Sequence, residues 1–298
     1  MCDFELLLKD AERVEQASLA PNTQKLYKVN FNVFCNLWKE IQPDADLFPI
    51  TPEKIKCVLY YYRTKKHVTY NTVRNVTSAL RHYFFVNELP DLFLGKRMKA
   101  FMKGMRNEMK AGFPPNQKDP ILPQDMVQPS ESTDTTVYSQ VRDMTLYSIM
   151  YFGFLRFSEA KNLTKKDIEF KDGMLLVRIK SSKTDQEGEG EVVYISESEK
   201  PYSAMLWVDF YLPYVEGDEL FPGSDTIYYV RLYNRLKSLG ITRKLSFHSF
   251  RRGAAHQAAL CGVEDSVIKK HGRWISEVYQ IYTRIPMVSA GTQISSVL

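Results

Sequence analysis

Pro114, Pro115, Pro120 and Pro123 crowd the fifteen-residue stretch AGFPPNQKDPILPQD. Each proline fixes φ and removes a backbone donor, so the stretch denies helix and favours an extended connector. The chain has 298 residues, close to the roughly 250–300 at which one hydrophobic core stops growing. A break of this kind therefore reads as a domain boundary, with residues 1–112 on one side, a linker at 113–125, and residues 126–298 on the other.

Before the linker the pattern is helical throughout. After a short acidic lead, Pro21-Asn22-Thr23 supplies helix-start chemistry ahead of LYKVNFNVFCNLWKEI, where Tyr27, Phe31, Phe34, Trp38 and Ile41 recur every three or four residues. Thr51-Pro52-Glu53 repeats the signal, and IKCVLYYYR carries the apolar face. Residues 71–87 and 94–110 read as two more helices, the last with Met98, Phe101, Met102 and Met105 on one side and basic residues around the rest. The chain's net charge is only +5, yet residues 51–113 hold thirteen Lys and Arg against four acids. Charge of that density fits contact with a polyanion, since each cation set on a phosphate releases counterions. A solvated helical surface explains the charge alone equally well.

After the linker, VYSQVRDMTLYSIMYFGFL is a strongly apolar helix ending near Gly153, and FSEAKNLTKKDIEF reads as a short helix leading to a strand. MLLVRIK and EVVYIS flank the Gly-bearing SSKTDQEGEGE and predict a β-hairpin. Helices are expected near 203–214, 226–238, 249–261, 264–270 and 276–284, with Gly262 and Gly272 as stops. The fold class is mainly α with a small β-sheet, α+β.

Composition excludes several classes. Hydrophobic residues make up 44% and charged residues 25%, near the average of globular proteins. The start MCDFELLLKDAERVEQ is acidic where a secretory signal is basic. No apolar run approaches the ~18–20 residues of a membrane span. An intracellular, soluble protein without a membrane partner is expected, nuclear if the source is eukaryotic. Cys2, Cys35, Cys57 and Cys261 are far apart, which argues against a disulfide framework or zinc site and for free, mostly buried thiols.

Four local patterns could carry chemistry. Arg156 leaves the apolar helix in GFLRFSEAKNL, with Glu159 one turn on, a spacing that also suits an ordinary ion pair. Lys183 falls at the hairpin tip in SSKTD, where a lysine is usually solvent-exposed. In FHSFRRGAA, His248 and Arg251 are three apart and share a helix face, whereas Arg252 is rotated by about 100°. A helix N-terminus there favours anions. Trp274 and Tyr282 lie eight residues apart in GRWISEVYQIY, where core packing is the plainer explanation for either alone.

Taken in order, Arg156, Lys183, His248, Arg251, Trp274 and Tyr282 resemble the active-site series of the tyrosine recombinases and phage integrases. GFLRFSEAKNLTKKDI, FHSFRRGAA and GRWISEVYQIY each look like the matching family segment, over roughly residues 120–290. The basic helical bundle of residues 1–112 resembles the family's core-binding domain, and residues 126–298 its catalytic domain. The family more often spaces its His or Trp nine residues from the tyrosine. Gly-Arg-Trp with the shorter spacing is similar to recombinases of eukaryotic mobile elements such as cryptons. His271, three residues before Trp274, imitates the motif histidine, and Tyr279 competes with Tyr282 as nucleophile.

The set suits phosphoryl transfer. Attack on a phosphodiester spreads negative charge over its non-bridging oxygens, and planar guanidinium forks such as Arg156 and Arg251 would clamp it. Tyrosine, with a free pKa near ~10, must lose its proton as it attacks, and His248 is the candidate base. The resemblance implies that Lys183 protonates the departing 5′ oxygen, and Trp274 can offer its indole N–H to a phosphate oxygen. It also implies a 3′-phosphotyrosyl intermediate, double-stranded DNA as partner, a DNA-dependent homotetramer, and no cofactor or metal. Competing expectations are a type IB topoisomerase, a telomere resolvase, or a recombinase-derived DNA-binding protein that has lost catalysis.

Overall fold

A computed structural model of the chain describes residues 4–16, 18–112, 118–180 and 190–283. The chain divides into two compact units, residues 1–116 and 117–298. Among its described residues the first unit has only helices as regular elements. Helix α1 (Phe4–Gln16) occupies the stretch read from sequence as an acidic lead. FELLLKDAERVEQ has neither Gly nor Pro, and its Phe4, Leu7, Leu8 and Ala11 already recur at helical spacing. Helix α2 (Pro21–Ile41) opens on proline. Helix α3 (Pro52–Lys66) is capped by Thr51, whose hydroxyl accepts from the Lys54 N–H at 3.3 Å, and it ends at His67 with φ 49°. Helix α4 (Tyr70–Val86) is capped by Thr69, and α5 (Lys96–Gly112) follows a 3₁₀ turn at Leu92–Leu94.

Phe34 and Leu37 of α2 meet Ile55, Val58 and Leu59 of α3, Val73, Val76 and Leu80 of α4, and Met98 and Met105 of α5. Each such side chain stabilises the bundle by about 1.5–3 kcal/mol on burial. On α5, Lys96, Arg97, Lys99, Lys103 and Arg106 remain exposed, opposite the buried methionines. Both the apolar stripe and the basic face follow from the 3.6-residue period of that helix.

The second unit begins with an extended strap. The Asp119 N–H donates to the Lys244 carbonyl and the Ile121 N–H to the Ser249 carbonyl, each at 3.0 Å, and Ile121 is only 1% exposed. Helix α6 (Pro123–Glu131) then starts on the last of the four linker prolines, at the one helical position where a missing N–H costs nothing. Helix α7 (Tyr138–Phe152) is the axis of the unit, buried at every residue from Val141 to Tyr151. Its two buried charges, Arg142 and Asp143, pair at 2.9 Å. Helix α8 (Phe157–Lys161) leads into an antiparallel sheet of β1 (Ile168–Lys171), β2 (Met174–Ile179) and β3 (Glu191–Ser196), in that order. Val177 stands opposite Ile168 on one side and Val193 on the other. Leu175, Val177, Ile179, Val193 and Ile195 face the core, while Arg178 and Tyr194 between them face out, the period-2 signature of a half-buried sheet.

Helices α9 (Ala204–Tyr211), α10 (Asp225–Ser238), α11 (Phe247–Leu260), α12 (Asp265–His271) and α13 (Gln280–Thr283) follow among the described residues. The fold is thus mainly α with a small β-sheet. Thr145 of α7 donates to the Trp207 carbonyl of α9 at 2.8 Å, and Tyr147 stacks on Phe250 of α11 at 5.1 Å. The strap crosses α11 at Gly253, where a Cβ would stand 1.9 Å from the Ile121 carbonyl oxygen. Cys57 and Cys261 are exposed and Cys35 is half-buried, against the burial expected of free thiols. Among the described residues no helix is long and apolar enough to cross a membrane.

Candidate active site

The site forms where the ends of α7 and α12 meet the first turns of α11. Helix α7 stops at Gly153, and Phe154 follows with φ 49°, a left-handed conformation that bulky residues rarely adopt. That turn presents the Phe154 carbonyl to two arginines, Arg251 Nη1 at 2.7 Å and Arg273 Nη2 at 3.3 Å. Arg156 then opens α8, and its main-chain N–H donates to the Glu159 carboxylate at 2.9 Å while its guanidinium pairs with the same group.

Glu159 is the centre of the electrostatics. Its side chain is 2% exposed and it faces Arg156, Arg273 at 2.9 Å and Arg251 at 3.9 Å. Burial pushes its carboxyl up, but Arg273 and the hydrogen bonds from Arg156 outweigh burial and hold the pKa below the ordinary carboxylate value. Three guanidinium groups thus share one buried carboxylate, and positive charge is in excess. Arg251 feels this most. Burial, then the charges of Arg156 and Arg273, press its pKa down to about 9. It remains a cation at neutral pH, one that an added anion would stabilise.

Helix α11 supplies the rest. The Ser249 hydroxyl accepts from the Ser246 N–H at 3.0 Å and fixes the helix start. His248 and Arg251 then project from one face. Arg251 is buried under the Trp274 indole, 4.4 Å from its ring centre, and donates to the Gly272 carbonyl. The indole lies against bare backbone, since a Cβ on Gly272 would stand 1.7 Å from Trp274 Cζ3. His248 is at the rim, with Nε2 3.0 Å from the Tyr282 hydroxyl. Burial of its inner edge, then the charges of Arg251, Arg252 and Arg156, hold its pKa below the ordinary histidine value, so the ring is neutral and able to accept a proton.

Tyr282, on α13, is half-buried, its ring 6.0 Å from that of Trp274 and 6.0 Å from the Arg252 guanidinium. Its rival Tyr279 is 5% exposed, in the core against Trp274 and Lys269. The structure thus brings Arg156, His248, Arg251, Trp274 and Tyr282 into one site. Lys183 lies outside the described residues. The hairpin that bears it is rooted nearby, for Glu191 at the start of β3 is 3.8 Å from Arg273 Nε.

His271 is not among the groups facing Tyr282. Its Nε2 donates to the Phe152 carbonyl at 2.8 Å and its ring meets Phe154 edge-on. Two residues that the sequence reading passed over join the site. Arg273, 7% exposed and with φ 54°, turns inward onto Glu159. The signal for it was its place nine residues before Tyr282, the spacing the resembling family uses for its His or Trp. His256 touches the Tyr282 main chain and had no local signal. Among the described residues no cluster of His, Cys, Asp or Glu is arranged to hold a metal ion.

Several known proteins resemble the chain. An integrase/recombinase XerD homolog of Selenomonas ruminantium is 29% identical over 197 residues, 64% of this chain, and the chain covers 54% of that relative's length. The fold is similar to the XerH site-specific recombinase in a post-cleavage complex with palindromic difH substrate, with TM-score 0.63, 15% identity, and 91% of this chain and 78% of that one covered. It is similar as well to a lambda integrase dimer bound to a COC′ core site, with TM-score 0.64, 15% identity and coverage of 94% and 77%. A Tn1549 transposon integrase in complex with circular intermediate DNA gives 0.61, 14%, and 95% and 97%. Residues 124–287, more than half the chain, match the phage integrase family, and the chain belongs to that family.

Proposed function

We propose that this chain is a site-specific DNA recombinase that cuts and rejoins double-stranded DNA through a 3′-phosphotyrosyl intermediate. The observation that carries the reading is the 3.0 Å contact between the Tyr282 hydroxyl and His248 Nε2 beside an arginine cluster with too little negative charge. Tyr282 attacks the scissile phosphorus, and its proton passes to neutral His248. Arg156, at the edge of the cluster, receives a non-bridging oxygen, and Arg251 a second one once the Trp274 indole slides from its guanidinium. Lys183 protonates the 5′ oxygen as the phosphorus–oxygen bond breaks. A 5′ hydroxyl from another strand then attacks the phosphotyrosine, releases Tyr282 and takes the phosphate. Bond energy is conserved, and the step needs no metal. The basic face of α5 grips the duplex, and four copies assemble on two paired sites, inside the cell and in the nucleus of a eukaryotic host.

Nicked duplexes of randomised sequence, in which cleavage releases a short strand and traps the covalent state, test this. A denaturation-resistant adduct should form, vanish in Tyr282→Phe and persist in Tyr279→Phe. An adduct that survives Tyr282→Phe overturns the nucleophile. Duplex retention without any adduct overturns the enzyme reading in favour of a recombinase-derived DNA-binding protein.

A further inference from the structure

Among the described residues helix α13 covers Gln280–Thr283, the turn that carries Tyr282. Its side chain meets His248 and Trp274. Its main chain is held by a different group: the Tyr282 carbonyl oxygen lies 3.2 Å from Nδ1 of His256. A carbonyl only accepts, so Nδ1 carries the proton there. His256 is half-buried and stands on α11 two turns beyond His248. One helix thus holds both ends of the same tyrosine, the hydroxyl through one imidazole and the backbone through another. The second contact cannot reach the reacting atoms, since it is made to the peptide group.

We infer that His256 is a positioning residue that docks the Tyr282 turn onto α11 and so delivers the hydroxyl to His248 and the arginine cluster. The inference rests on Tyr282 acting as proposed above. Loss of a reacting group and loss of a docking contact differ in their consequences. Without His256 the site keeps every charge that meets DNA, and only the fraction of molecules with the hydroxyl in place falls.

The test compares His256→Ala with His256→Asn, because the asparagine Nδ2 stands where Nδ1 stands and can donate to the same carbonyl. Single-turnover adduct formation on nicked duplex should slow about three- to tenfold in His256→Ala, the usual worth of one hydrogen bond, with duplex affinity unchanged. His256→Asn should recover the rate to within about twofold. Hydrogen exchange of the 277–283 segment, measured without DNA, should speed up in the alanine variant and not in the asparagine variant. Unchanged exchange in His256→Ala overturns the docking role whether or not the protein cleaves. Faster exchange with an unaltered adduct rate overturns the delivery step. A wild-type protein that forms no adduct sinks the recombinase reading, while the exchange result still decides the contact.

Discussion

Replacing Gly272 with alanine asks whether Trp274 is the plate that closes the arginine cluster. Gly272 ends α12 at φ −77° and ψ −4°, a conformation alanine adopts freely. Backbone effects alone would therefore stabilise the variant by about 0.4–1 kcal/mol, through a less flexible unfolded chain. Space is the obstacle. The new Cβ would stand 1.7 Å from Cζ3, 2.1 Å from Cε3 and 2.4 Å from Cη2 of Trp274. A rigid ring cannot bend away, so the indole must leave its seat. Leaving forfeits its contact with Arg251 at 4.4 Å, worth about 0.5–2 kcal/mol. It also forfeits aromatic contacts with Phe154 at 6.1 Å and with Tyr279 and Tyr282 at 6.0 Å, each worth about 0.5–1.5 kcal/mol. Neighbouring contacts do not add fully, and a net loss of about 2–5 kcal/mol is expected. In a Trp274→Ala background there is no ring to strike, and the same substitution should become neutral or stabilising by up to about 1 kcal/mol. Urea denaturation of the four proteins of this double-mutant cycle measures the change of sign. Equal destabilisation in both backgrounds would refute the reasoning.

Three further outcomes follow from the site. Glu159→Gln leaves three buried or half-buried guanidinium groups without their carboxylate and should cost about 3–5 kcal/mol, read from denaturation midpoints. Glu159 has a folded pKa below its unfolded one. Its stabilising effect is therefore complete above the unfolded value near ~4.3 and is lost as pH falls through the folded value, a slope that Glu159→Gln should flatten. His248 is depressed by burial and by Arg251, Arg252 and Arg156, so the acid limb of adduct formation should lie below the ordinary histidine midpoint of ~6.5. A limb at or above that midpoint, or one that persists in His248→Asn, would count against His248 as the base. Gly253→Ala would drive a Cβ to 1.9 Å from the Ile121 carbonyl and should break the two strap hydrogen bonds, about 1 kcal/mol each. Faster amide exchange at Asp119 and Ile121 would report it.

Much of the fold could be read from local pattern. The alternation in MLLVRIK and EVVYIS marks β2 and β3, and Thr51-Pro52 marks the start of α3, because the forces that set these elements act between near neighbours. Helix α6 was hidden by its prolines: Pro123 starts it and Pro129 lies within it, while its Asp125 finds Arg243 across the fold. No periodicity reports a partner that distant. The site divides the same way. The sequence order of Arg156, His248, Arg251, Trp274 and Tyr282 was legible, and so was the shared face of His248 and Arg251. Of Arg273 only the nine-residue spacing to Tyr282 was legible; its inward turn was not, because it depends on a left-handed backbone at φ 54° that nothing in Gly-Arg-Trp demands. His256 was not either, since its partner is a carbonyl, an atom every residue has.

The strap has a practical corollary for anyone isolating the catalytic half. A fragment cut where the match to the phage integrase family begins, at residue 124, would lack Ile121 and leave a hydrophobic hole beside Gly253. It would also strip the Ser249 and Lys244 carbonyls of their donors, at the root of the helix that bears His248 and Arg251. A soluble, faithful fragment must keep its leader back to at least Lys118, whose own carbonyl accepts from Arg252 at 2.5 Å.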